Sequence, residues 1–121
     1  MARERNSFKM GTVEMLILFF LSKHDSYVYE MTQMFKELSE GNMVIPESTL
    51  YPTFYKLMDK KYISDRAVRV GKKRTRVYYH LEELGRKRLN DLLEDYESVS
   101  YGIAKILSYN PSSKEGDVSD E

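Results

Sequence analysis

Lys72, Lys73, Arg74 and Arg76 crowd one short stretch of the chain, directly after Gly71. Ammonium and guanidinium groups this close repel one another in isolation. The arrangement becomes favourable against the phosphates of a nucleic acid, whose condensed counterions they displace. A second group lies upstream. Ser48 and Thr49 carry hydroxyls able to donate to phosphate oxygens, and Tyr51, Tyr55 and Lys56 follow at a spacing that puts them on one side of a helix. Base edges and thymine methyls are also within the chemical reach of these side chains. The plainer readings are a solvated hairpin for any one of the cations and partial core packing for either tyrosine. Four cations at a single turn weaken the first of these.

Across its 121 residues the chain balances 19 Lys and Arg against 19 Asp and Glu, so it carries no formal net charge. The balance is regional. Between Lys56 and Arg76 stand Lys56, Lys60, Lys61, Arg66, Arg69, Lys72, Lys73, Arg74 and Arg76 against only Asp59 and Asp65, a local excess of +7. Acids dominate from Glu82 to Glu97 and again in the tail beyond Asn110. A neutral average therefore hides a strong local positive field.

Other chemistries find little support. There is no cysteine, so neither disulfides nor thiolate chemistry is available. His24 and His80 stand without a second ligand at metal spacing, Ser48 lacks a nucleophile elbow, Gly102 is isolated, and the glutamates show no paired placement. An enzyme is the least expected class, with no metal and no cofactor. The longest apolar run, Met15 to Leu21, falls far short of the roughly 20 residues that span a bilayer, and the expectation is a soluble, cytoplasmic protein.

The elements that must position the charged groups follow from periodicity. Val13, Leu16, Ile17, Phe20 and Leu21 recur at helical spacing and predict a first helix from about Phe8 to Lys23. Ser26 is placed to cap a second helix carrying Tyr27, Val28, Met31, Met34, Phe35 and Leu38, which stops at Glu40, Gly41 and Asn42. A third helix has Leu50, Phe54, Leu57 and Met58 as its inward stripe. A proline is free of cost only in the first helical turn, so Pro52 makes Ser48 or Thr49 the expected N-cap. Two strands, Ile63 to Val70 and Val77 to Leu81, then form a hairpin with a basic tip. A long last helix from about Glu83 to Ser108 carries Leu89, Leu92, Tyr96, Val99, Ile103 and Ile106 at alternating spacings of three and four, a coiled-coil seam. Met15, Met31, Met34 and Met58 read as core rather than as an adaptable pocket.

The fold expected is mainly α with a small β-hairpin: a winged helix-turn-helix over residues 1–81, a C-terminal dimerisation helix over 82–109, and a disordered acidic tail over 110–121. In such a domain the third helix enters the major groove and the wing lies along the backbone of double-stranded DNA. The DNA-binding residues would be Ser48, Thr49, Tyr51, Tyr55, Lys56, Lys72, Lys73, Arg74 and Arg76. The alternative is a winged-helix protein–protein interaction module, since fold alone does not set function.

The run Ser48-Thr49-Leu50-Tyr51-Pro52 ahead of Leu57, then Ile63, Gly71-Lys72-Lys73-Arg74 and Tyr78-Tyr79-His80-Leu81 with Gly85, resembles the PadR family of transcriptional regulators. The stretches from Gly11 to Leu18 and from Tyr27 to Glu30 are similar to that family's first two helices. The resemblance implies a homodimeric repressor binding a palindromic operator, of the short branch in which a single C-terminal helix forms the dimer. Members that bind flat drugs do so with tryptophan on that helix. This chain has no tryptophan, and Tyr96 stands at the matching place. Tyr96 can be read as a face for a small aromatic effector, or, more plainly, as a packing residue of the seam.

Overall fold

The computed structural model describes residues 2–112, with side chains from Thr12 onward. Three helices come first, α1 (Ala2–Lys23), α2 (Val28–Leu38) and α3 (Glu47–Asp59), followed by strands β1 (Ile63–Arg69) and β2 (Thr75–Leu81) and a last helix α4 (Glu83–Leu107). The chain divides into two compact units, Met1–Asn90 and Asp91–Glu121. Of the tail expected to be disordered from Asn110, residues 113–121 lie outside the described residues. No helix among the described residues is long and apolar enough to cross a membrane.

The first unit is built around one apolar core. Val13, Ile17 and Leu18 of α1, Met31 and Phe35 of α2, and Leu50, Phe54 and Leu57 of α3 are all but fully buried. Phe20 meets Phe35 edge-on with ring centroids 5.1 Å apart, a geometry that sets one ring's positive edge against the other's negative face. Met31 and Met15 are core, as their spacing predicts, whereas Leu38 is exposed at the end of α2. The helical period carried Leu38 inward on paper, but the core ends before the last turn. α1 extends back to Ala2, beyond the apolar stripe that defined its expected start.

Helix ends depart from expectation at three places. Ser26 does not cap α2. The residue before that helix is Tyr27, with no side-chain cap, and Ser26 is buried, exchanging backbone hydrogen bonds with Tyr79. The end of α2 closes through Gly41 N–H to the Lys36 carbonyl at 2.8 Å and Glu40 N–H to the Glu37 carbonyl at 3.1 Å. That pair of bonds needs a left-handed residue, and it is Glu40, with φ 55°, that supplies the turn ahead of Gly41. The same closure ends α3, with Lys61 at φ 66° and Tyr62 N–H on the Leu57 carbonyl at 3.0 Å.

The third departure is the start of α3. The N-cap is Pro46, whose carbonyl accepts the amides of Thr49 at 2.9 Å and Leu50 at 3.1 Å, so neither Ser48 nor Thr49 caps the helix. Pro52 then lies inside the second turn. The carbonyl it leaves without a helical donor is that of Ser48, an exposed residue. An unpaired carbonyl costs less on an exposed residue than in a core, so the first turn is not the sole place where this proline can stand.

β1 and β2 pair antiparallel in the register Ile63↔Leu81 to Arg69↔Thr75, with β2 starting two residues earlier than its apolar run. Ile63, Tyr79 and Leu81 anchor the base of the hairpin in the core. Three helices closed by this hairpin form a winged helix-turn-helix. Asp25, between α1 and α2, bridges both strands, accepting from Arg66 at 3.0 Å and from the His80 ring at 2.8 Å. His80 is thus paired with a carboxylate 55 positions away, which its local sequence does not reveal.

α4 begins tightly. A Cβ built on Gly85 would stand 2.1 Å from the Tyr62 carbonyl oxygen and 2.8 Å from Leu81 Cδ1. Leu89, one turn on, is 4% exposed and belongs to the core of the first unit. This corrects its place in the seam, since its apolar side chain is already covered within the chain.

Two outcomes follow from this packing. Gly85→Ala is expected to destabilise the fold by about 2–3 kcal/mol, because backbone rather than a flexible side chain must yield, and chemical denaturation will measure it. Partial burial pushes the Asp25 carboxyl up, but hydrogen bonds from His80 and Arg66 and their charges outweigh it and hold the group below the ordinary carboxylate value. Its contribution is therefore present above the unfolded value of about 4 and fades as pH falls below it. The difference in thermal midpoint between the unmodified chain and Asp25→Ala should shrink between about pH 5 and pH 3.

Candidate nucleic-acid interface

The outward face of α3 is defined by what its inward face buries. Leu50, Phe54 and Leu57 are sealed in the core, which leaves Tyr51, Tyr55 and Lys56 in solvent, as their spacing predicts. The Tyr51 and Tyr55 rings lie 6.1 Å apart at 33°, a tilted pair on the helix surface. Tyr55 is 57% exposed and Tyr51 sits lower, at 37%. Lys56 adds the only cation of the helix, in its last turn.

The helix start is less open than expected. Thr49 is half-buried and its amide is already bonded to Pro46, while its carbonyl accepts from the Thr53 hydroxyl at 3.2 Å. The exposed donors of the first turn are those of Glu47 and Ser48, which have no carbonyl four residues back within the helix. Glu47 places a carboxylate there. Such a group complements the helix dipole and competes with any phosphate for the same amides.

The wing divides its cations into two sets. Lys72, Lys73 and Arg74 are exposed at the tip. The tip is closed by Val70 N–H on the Arg74 carbonyl at 3.0 Å, with Gly71 at φ 119°, a conformation other residues rarely adopt. Arg69 braces it, donating to the carbonyls of Gly71 and Lys72. Arg76 differs from the expectation that grouped it with these three. It lies within β2, opposite Val68, with its guanidinium 4.0 Å over the Tyr27 ring. Interaction with the Tyr78 hydroxyl raises its already high pKa, so it stays protonated.

One buried residue joins helix to wing. The Tyr79 ring meets Phe54 of α3 edge-on at 4.4 Å. Burial, followed by the proximity of Tyr55, Tyr51 and Asp65, pushes its hydroxyl up to about 12, which keeps the group neutral. Sequence patterning assigned it only β character. The other residues that patterning missed are Asp25, Tyr27 and Arg66. The partners of Asp25 lie 41 and 55 positions away, and its local context is simply a polar break.

In the second unit Tyr96, Val99, Ile103 and Ile106 are between 46% and 72% exposed, and Leu92 is half-buried. A shallow depression of about 450 Å³ on this part is lined by Glu94, Glu97, Ser98 and Tyr101, and so takes Tyr101 rather than Tyr96 into its wall.

Residues 17–91, which hold α3, the wing and their anchors, match the family described as the transcriptional regulator PadR-like family. A transcriptional regulator from Clostridium thermocellum is similar at 30% identity with a TM-score of 0.75, over 82% of this chain and 93% of that one. Bacillus subtilis PadR, solved in complex with operator DNA, is also 30% identical, with a TM-score of 0.64 over 68% of this chain and 47% of its own. The transcriptional regulator YqjI of Escherichia coli is similar at 29% identity over 117 residues, a match that covers 93% of this chain and 55% of that protein. The Thr-Leu-Tyr-Pro start of α3, the basic wing and the family match coincide on one stretch of sequence, and the chain belongs to the PadR-like family of transcriptional regulators.

Proposed function

We propose that the protein is a homodimeric repressor that binds a palindromic operator in double-stranded DNA. The observation that carries this reading is the pairing of an exposed Tyr51–Tyr55–Lys56 face with a cationic wing tip, both fastened to the buried contact of Phe54 with Tyr79. α3 supplies side chains for base edges and thymine methyls, and Lys72, Lys73 and Arg74 supply phosphate contacts. Ser48 adds a hydroxyl and an open amide at the helix start. Thr49, with its amide occupied, serves the shape of the first turn more than the DNA. The match to a family that includes an operator-bound member supports the same reading.

Dimerisation is assigned to the apolar side chains that α4 leaves exposed, Tyr96, Val99, Ile103 and Ile106, with a second copy of the chain as occupant. Two copies related by a twofold axis would present two recognition helices to two half-sites. A small aromatic effector acting between the copies requires different affinity for two arrangements of the dimer. Release of preformed protein–DNA complex by phenolic or cationic aromatic compounds is the direct test of that part.

The wing makes a quantitative prediction. Replacing Lys72, Lys73 and Arg74 together by serine should flatten the slope of log affinity against log salt by about two to three, since each neutralised phosphate accounts for about one unit. An unchanged slope, with binding intact, would assign the wing to a protein partner instead. For the dimer, Val99→Asp with Ile103→Asp is expected to sediment as monomer and to bind the operator about tenfold or more weakly, because the two half-sites are then engaged independently.

A further inference from the structure

The segment joining α1 to α2 holds the wing with three consecutive residues. Ser26 and Tyr79 exchange backbone hydrogen bonds of 3.2 and 2.8 Å, so this extended segment meets β2 at one antiparallel bridge. Neighbours along a strand point to opposite faces. Ser26 is buried beside Tyr79, while Asp25 and Tyr27 lie on the other face. Asp25 takes Arg66 of β1 at 3.0 Å and His80 of β2 at 2.8 Å, and so grips both strands at once. Tyr27 meets Tyr78 edge-on at 5.3 Å and lies under Arg76 at 4.0 Å. The hairpin is therefore held from one side by the core contact with Phe54 and from the other by this segment.

We propose that Asp25 is a positioning residue for DNA binding: by tying both wing strands to the α1–α2 segment, it sets the angle at which the wing meets the duplex. The inference rests on the DNA-binding reading above. Its interest lies in the sign. A carboxylate in a DNA-binding domain repels phosphate, so if charge alone mattered, its removal would tighten binding. A tether gives the reverse. Once released, the wing spreads over several angles, and the apparent affinity falls with the fraction that suits the duplex.

The experiment uses the full chain with a synthetic mixed-sequence duplex and with the duplex it enriches from a random pool, titrated over a range of salt. Asp25→Ala is expected to weaken binding about threefold to tenfold, the scale set by two partly exposed ion pairs. The salt slope should not flatten, because every cation of the wing is retained. Asp25→Asn keeps an acceptor oxygen and should fall between the two. If circular dichroism shows Asp25→Ala unfolded, Asp25→Asn and His80→Gln carry the same comparison. Amide hydrogen exchange at Ser26 and Tyr79 gives a readout without DNA, expected to quicken in the variants. Tighter or unchanged binding by folded variants, a flattened salt slope, or unaltered exchange overturns the proposal. Failure of the unmodified protein to bind either duplex removes the DNA reading and this inference together, whereas normal binding that the variants fully retain removes the inference alone.

Discussion

Tyr79 is constrained from two directions, by the edge of its ring against Phe54 of α3 at 4.4 Å and by its backbone paired with Ser26, and the remaining geometry of the interface follows from that pair of constraints. Through the first, the base of the wing is tied to the core that α3 shares with α1 and α2. Through the second, β2 gains a neighbour on its open edge, which a two-stranded ribbon otherwise leaves unpaired. A hairpin by itself is marginal in water. Here Ile63, Tyr79 and Leu81 bury its base, while the tip from Gly71 to Arg74 stands in solvent.

The same scheme explains how a chain of zero net charge presents a cationic surface. Arg69 donates to the carbonyls of the tip, Arg66 is held by Asp25, and Arg76 lies on Tyr27. Three of the wing's arginines therefore help to shape it, while Lys72, Lys73 and Arg74 at the turn stand exposed. The division matters because phosphate contacts set affinity, its salt dependence and the register on the duplex, and they can do so only from a wing held in place.

Much of this was legible in the sequence, and the exceptions have physical causes. The inward stripe of α3 and the hairpin with its basic tip follow from periods of 3.6 and 2, which report burial directly. The tyrosines facing out from α3 followed from the same geometry. What periodicity does not encode is pairing across the chain. Asp25 and Ser26 look like a polar break, yet one bridges two strands and the other is buried in a β-bridge. Leu89 fits a heptad and is nevertheless spent on the core of the first unit, because Gly85 lets the first turn of α4 press against Tyr62 and Leu81. The start of α3 was misplaced for a different reason. The proline rule counts a lost amide bond and a ring crowding the carbonyl four residues back, and here the residue that bears this carbonyl, Ser48, is exposed.

That proline also divides α3 into parts of unequal strength. With one rung missing from its amide ladder, the turn carrying Glu47, Ser48 and Thr49 is joined to the rest by fewer bonds than an unbroken helix would provide. Leu50, Phe54 and Leu57 keep the remainder fixed in the core. The leading turn is expected to open at lower free energy than the body of the helix, as a separate cooperative segment. A reading head of this kind can adjust its first few residues to a phosphate or a base step while the pitch and direction of the helix behind it stay the same.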